Sequence, residues 1–164
     1  RKESRKSAGW RRLMNEVSER RAFQEILRKV SEKWKRENLD IVPPYSKEQI
    51  QNSFDKIGKL VSRDIFQVYT TFGGLTDCQI DSNLLSFWSL EQLVAENSEC
   101  KSEFTAFGDF LIYSHSYGYK YENENVSSVY SDLDGGEYIK ISESVEEFFN
   151  LYLTDPMKIG LYEE

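Results

Sequence analysis

The stretch F-G-D-F-L-I-Y-S-H-S-Y-G-Y-K-Y-E-N-E, Phe107 to Glu124, holds the chain's only histidine, His115, between Ser114 and Ser116. A serine–histidine or cysteine–histidine pair does nucleophilic chemistry when the base reaches the nucleophile and a third group orients the base. Neighbours on a strand point to opposite faces, so neither serine is a natural partner for His115. Cys78 and Cys100 form no C-x-x-C pair, and with one histidine in the chain they supply no zinc ligand set. They read as two reduced thiols. The acidic run D-L-D-G-G-E, Asp132 to Glu137, begins like a calcium loop, but Glu137 stands where such a loop needs glycine at its sixth position. It reads as a hairpin turn between two strands. There is no phosphate-cradling loop of the G-x-x-x-x-G-K or G-x-G-x-x-G type. The chain is therefore expected to be no enzyme and to use no metal and no cofactor, with His115 structural.

What remains as candidate chemistry is recognition. Loops at strand ends are where a rigid scaffold usually carries its binding residues. Asp109, Glu122, Glu124, Asp132, Asp134 and Glu137 fall at such positions, and together they would make a negative patch for a protein partner. Tyr117 and Tyr119, with Tyr121, alternate with Gly118 and Lys120 along one strand face. That face is either packed under a helix or open to a partner.

The elements that position these residues follow from periodicity and capping. Residues 1–9 read as a polar linker. Trp10 to about Asn38 favours helix, with one apolar stripe at Trp10, Leu13, Met14 and Val17 and a second at Phe23, Ile26, Leu27, Val30 and Trp34. The two stripes do not line up, so a break near Ser18–Arg21 is expected. Pro43-Pro44 ends this region. Ser46 with Gln49, Ser89 with Gln92, and Ser144 with Glu147 have capping-box spacing and open three helices. A further helix starts near Ser62 and is stopped by Gly73-Gly74. Strands are expected at 84–88, 104–113 with a bulge or turn at Gly108-Asp109, 117–121, 126–132 and 137–141. Helices, then a run of antiparallel strands, then a terminal helix make an α+β fold, mainly an antiparallel sheet packed against helices.

Charge divides the chain. Residues 1–39 carry 13 Lys+Arg against 6 Asp+Glu, and residues 40–164 carry 8 against 22. The reading is a basic helical extension over 1–39 and an α+β domain over 40–164. The basic residues of the extension read as the solvated side of a helix that docks by its apolar side, so no direct contact with nucleic acid is expected. No apolar run approaches the ~18–20 residues of a membrane span, and no apolar signal segment follows the charged start. A cytoplasmic protein is expected. The first residue is not methionine, which suggests sequence upstream of Arg1.

The order of motifs over residues 43–153 resembles the SUKH superfamily, the Smi–Knr cell-wall-regulator and bacterial immunity-protein family. P-P-Y-S-K-E-Q-I is similar to the start of its first core helix, and R-D-I-F-Q-V-Y-T-T-F-G-G-L to the helix ending in its double glycine. L-L-S-F-W-S-L-E-Q-L-V-A-E-N resembles the strand and short helix that follow, and F-G-D-F-L-I the next strand. S-V-Y-S-D-L-D-G-G-E-Y-I-K-I-S-E-S-V-E-E-F-F-N-L-Y-L is similar to the closing hairpin and helix. The family's proline before the double-glycine helix is absent here, where Ser62-Arg63-Asp64 stand. The resemblance implies an α+β fold, no catalytic residues, and a protein that binds and neutralises a cognate toxin, many of them nucleases. It names no binding residues. The acidic domain suits a basic toxin. The other reading is a regulatory or scaffold interaction domain of a longer protein, tethered by residues 1–39.

Overall fold

The computed structural model describes residues 2–77, 79–99, 101–132 and 137–161, with side chains from residue 5 onward. Its first element is one unbroken helix, α1 (Lys2–Arg36). Neither the polar linker over 1–9 nor the break near Ser18–Arg21 is present. The two apolar stripes are rotated by roughly 130° at 100° per residue, and they serve different surroundings. Phe23, Leu27, Val30 and Trp34 are buried in the core, whereas Trp10, Leu13 and Met14 are exposed. Misaligned stripes require a kink only when both pack on the same body. Mid-helix, the Gln67 side chain donates to the Arg20 carbonyl at 2.7 Å and Gln24 donates to Thr71 at 3.0 Å, tying α1 to the helix that carries Gln67. The division expected at residue 39 therefore does not follow the core. One face of residues 23–34 lies inside it, and the part of α1 that is exposed throughout is residues 5–15.

Helix α2 (Lys47–Lys56) opens with a reciprocal capping box between Ser46 and Gln49 and closes at Gly58, which has φ +66°. Helix α3 (Arg63–Thr71) ends at Phe72 in extended geometry, so the double glycine is not its cap. Gly73-Gly74 instead threads the chain between two segments. Gly73 N–H donates to the Val42 carbonyl and Val42 N–H to the Gly74 carbonyl, both at 2.8 Å. A Cβ on Gly73 would lie 2.5 Å from the Pro43 carbonyl oxygen, and one on Gly74 would lie 2.6 Å from that of Trp88. No side chain fits at either position.

The sheet is a meander of β1 (Leu85–Phe87), β2 (Phe104–Phe110), β3 (His115–Tyr121), β4 (Ser127–Ser131) and β5 (Ile139–Ser142), with every neighbour antiparallel. Helix α4 (Leu90–Asn97) lies between β1 and β2, and α5 (Val145–Thr154) follows β5. In place of the bulge or turn expected at Gly108-Asp109, the strand has a bulge between Ala106 and Gly108. There the buried Asn97 side chain accepts from Ala106 N–H at 2.9 Å and donates to its carbonyl at 2.8 Å, replacing strand partners that the bulge removes. One sheet face supplies Phe87, Phe107, Tyr119 and Val129 to the core, against Trp34, Tyr69 and Phe72 from α1 and α3 and Phe148 and Phe149 from α5. Phe107 stacks on Tyr119 at 3.9 Å and meets Phe148 edge-on at 5.4 Å. The other face carries a half-buried aromatic layer in which Phe104 stacks on Tyr138 at 4.3 Å, with Tyr130 at 4.9 Å. The molecule is an α+β fold, an antiparallel sheet packed against helices.

This arrangement makes α1 two structures in one. Removing residues 1–15 is expected to leave the melting temperature nearly unchanged, because that segment contributes nothing to the core. Removing residues 1–39, or replacing Trp34 by alanine, should cost about 3–5 kcal/mol or abolish cooperative unfolding. Urea unfolding of the three variants, followed by circular dichroism, checks this. A cooperative transition of nearly unchanged stability in the 1–39 deletion would return α1 to the status of a detachable extension.

Candidate protein-binding groove

The carboxylates expected to form one patch are not brought together. Tyr117 pairs with Ser131 and Tyr121 with Ser127, so β3 and β4 run four residues between their ends, about 13 Å of strand. Glu122 and Glu124 lie exposed in the β3–β4 turn, while Asp132 and Glu137 lie at the opposite end, beyond β4 and before β5. Glu122 accepts from the Ser128 hydroxyl at 2.6 Å, and half-buried Asp132 accepts from Ser116 N–H. Asp134, Cys78 and Cys100 lie outside the described residues. Tyr117 and Tyr119 are core residues, not a binding face; period two correctly puts both rings on one side, and that side lies under α5. Asp109 is not a surface charge either. Its carboxylate is 3% exposed and accepts from Trp88 Nε1–H at 2.7 Å and Tyr113 N–H at 3.0 Å.

His115 is buried against Phe110, ring centroids 4.7 Å apart, with Nε2 3.2 Å from the Tyr117 hydroxyl. That hydroxyl's single hydrogen goes to the Ile159 carbonyl, so the imidazole must be the donor and carries its proton on Nε2. Burial lowers its pKa, and the charges of Asp132 and Asp109 only partly oppose this. Among the described residues, no group of three or more His, Cys, Asp or Glu side chains is placed to hold a metal ion.

Asp109 leads to the feature that sequence reasoning missed. The strand expected to run to Tyr113 ends at Phe110, and Leu111, Ile112 and Tyr113 form a left-handed turn with φ of 48°, 51° and 61°. Left-handed geometry costs about 1–2 kcal/mol for each such residue, and it persists only where surrounding contacts over-determine it. Here they do. Besides the Tyr113 N–H bond to Asp109, Leu111 N–H donates to the Leu84 carbonyl and Ser114 N–H to the Phe110 carbonyl, both at 2.9 Å. The Tyr113 hydroxyl donates to Glu96 at 3.0 Å.

The turn holds Ile112, 73% exposed, and Tyr113, 54% exposed, beside the outward face of α4. Together with Ile80 and Ala95 they line a groove of about 540 Å³, edged by Asp77, Glu91 and Glu96. Glu91 accepts from the Tyr45 hydroxyl at 2.5 Å, which fixes that carboxylate at the rim. Exposed apolar side chains in a groove that also carries carboxylates suit a cationic, partly apolar protein surface. The i, i+1, i+4, i+5 spacing of Glu91, Gln92, Ala95 and Glu96 was a legible signal for the outward face of α4. The turn gave no such signal, having neither glycine nor asparagine.

Compared with known proteins, the chain matches no family model and no curated protein. No helix among the described residues is long and apolar enough to cross a membrane.

A lone histidine makes its environment directly measurable. Because the folded-state pKa lies below the unfolded ~6.5, the unfolded chain binds the proton more readily. The contribution of His115 to stability is complete above ~6.5 and is lost as pH falls through that value toward the folded pKa. A proton NMR titration should give one imidazole midpoint below 6.5, and His115→Gln should remove the corresponding loss of stability. A midpoint at or above 6.5 would contradict this placement.

Proposed function

We propose that this protein is a binding module rather than an enzyme, an immunity-type protein of the cytoplasm that captures and neutralises a basic toxin domain in the groove beside the left-handed turn. The observation that carries the reading is the pair of exposed side chains, Ile112 and Tyr113, held on a left-handed turn in a groove that Asp77, Glu91 and Glu96 also line. A left-handed turn held in place by interior hydrogen bonds, with its apolar side chains left exposed, fits a preformed contact surface. Two further features support it. The motif order over residues 43–153 resembles the SUKH superfamily, and residues 40–164 carry 22 carboxylates against 8 cations, a field that attracts a nuclease built to hold phosphates. The Nε2 proton of His115 is committed to the Tyr117 hydroxyl, which fits a structural role better than a catalytic one.

The test first asks whether a basic toxin domain is encoded directly upstream of this protein's gene, and uses that domain as the binding partner. Stopped-flow association should slow by about tenfold or more between roughly 50 and 500 mM salt, as exposed charges are screened. Glu91→Lys combined with Glu96→Lys should lower the association rate at low salt by about tenfold, while changing stability by no more than about 1 kcal/mol at these exposed positions. Association that ignores salt, or an unchanged rate in the double reversal, would place the interface elsewhere.

A further inference from the structure

Two exposed apolar features of this chain carry opposite charge. One is the groove just described. The other is the free end of α1, where Trp10, Leu13 and Met14 are 67%, 50% and 60% exposed on one side of the helix. Lys6, one turn earlier on the same side, lines a shallow hollow of about 270 Å³ with Trp10 and Leu13. Residues 5–15 include Arg5, Lys6, Arg11 and Arg12 and no carboxylate. Each feature has the chemistry that the other would bind: an apolar stripe among cations, and an apolar groove among anions.

We infer that the α1 arm of one molecule docks in the groove of a second copy, head to tail. The arm cannot reach its own groove by folding back, because α1 is a continuous helix anchored in the core from Phe23 to Trp34. Pairing two arms along their stripes would set cations against cations. An anionic lipid surface would draw the arm but repel a body with 22 carboxylates against 8 cations. The contact is heterologous, so it closes into a ring or extends as a chain. A stripe of three side chains is well below the ~800 Å² per partner of a stable interface, so the association is weak and shows itself only at high protein concentration. The inference rests on the proposed reading only in taking the groove as a receptor for a basic, apolar surface, and a bound toxin would displace the arm.

Sedimentation of the full chain between about 5 and 500 µM at about 50 mM salt should show concentration-dependent association, weakened about tenfold at about 500 mM. An arm variant (Trp10→Ala, Leu13→Ser, Arg11→Glu) and a groove variant (Glu91→Lys, Glu96→Lys) should each sediment as monomers with unchanged circular dichroism. Mixed in equal amounts, they should form a heterodimer, because each keeps the half that the other lacks. A monomer at every concentration, persistent association of either variant, or no heterodimer on mixing would overturn the proposal. Binding of the full chain and the groove variant alike to phosphatidylserine vesicles, with no self-association, would assign the arm to lipid instead. A monomeric chain that still captures the toxin domain through the groove would sink this inference and leave the proposed function standing; self-association without capture would do the reverse.

Discussion

The Asp81 carboxylate lies where three stretches of chain meet. The side chain is fully buried, and burial raises its pKa despite the groups around it. The Tyr152 hydroxyl of α5 donates to it and in turn accepts from Trp34 Nε1–H of α1 at 2.8 Å. The backbone N–H groups of Asn83 and Leu85 donate to its other oxygen at 2.8 and 3.0 Å, and Lys33 stands 3.8 Å away while paired with Glu37. A buried carboxylate short of these donors would be strongly unfavourable. The loop before β1 is therefore held to α1 and α5 at once, which is why the second half of α1 cannot be regarded as an appendage.

The consequence reaches the surface in two steps. Fixing Asp81 fixes Leu84, itself at φ 63°, whose carbonyl accepts the Leu111 N–H. Fixing β1 also places Trp88, whose indole N–H holds the Asp109 carboxylate that receives Tyr113 N–H. Two buried aspartates thus pin the two ends of the left-handed turn. The turn's strain is offset by interior hydrogen bonds, which also remove the freedom it would otherwise have. A surface of that kind loses little further entropy on binding, which favours affinity from a small contact.

Much of this was readable from residue types. The three serine caps, the run of antiparallel strands and the common face of Tyr117 and Tyr119 all follow from local rules, and the bulge falls just before the Gly108-Asp109 pair that signalled a bulge or turn. Misreadings came where tertiary context set the outcome. Phe104 to Tyr113 reads as one strand with a bulge or turn at Gly108-Asp109, and only Asp109 folding back on the Tyr113 amide reveals the turn at its end. Asp109 itself reads as a surface charge because its donor, Trp88, is 21 positions away. The carboxylates of Glu122 and Asp132 seemed neighbours until strand register separated them. The groove draws on Asp77, α4 and the β2–β3 turn, and no spacing in the chain signals that these converge.

The central claim is that the turn at Leu111–Tyr113 is a rigid, preformed surface and not a loose loop that orders on contact. Amide hydrogen exchange in the free protein tests it most directly. The N–H groups of Leu111, Tyr113 and Ser114 each have a buried or backbone acceptor, so they should exchange far more slowly than the unbonded amides of an exposed loop, by about a hundredfold or more. Exchange of Tyr113 at the rate of an unstructured chain would mean that Asp109 does not hold the turn, and the account of a preformed binding groove would fail.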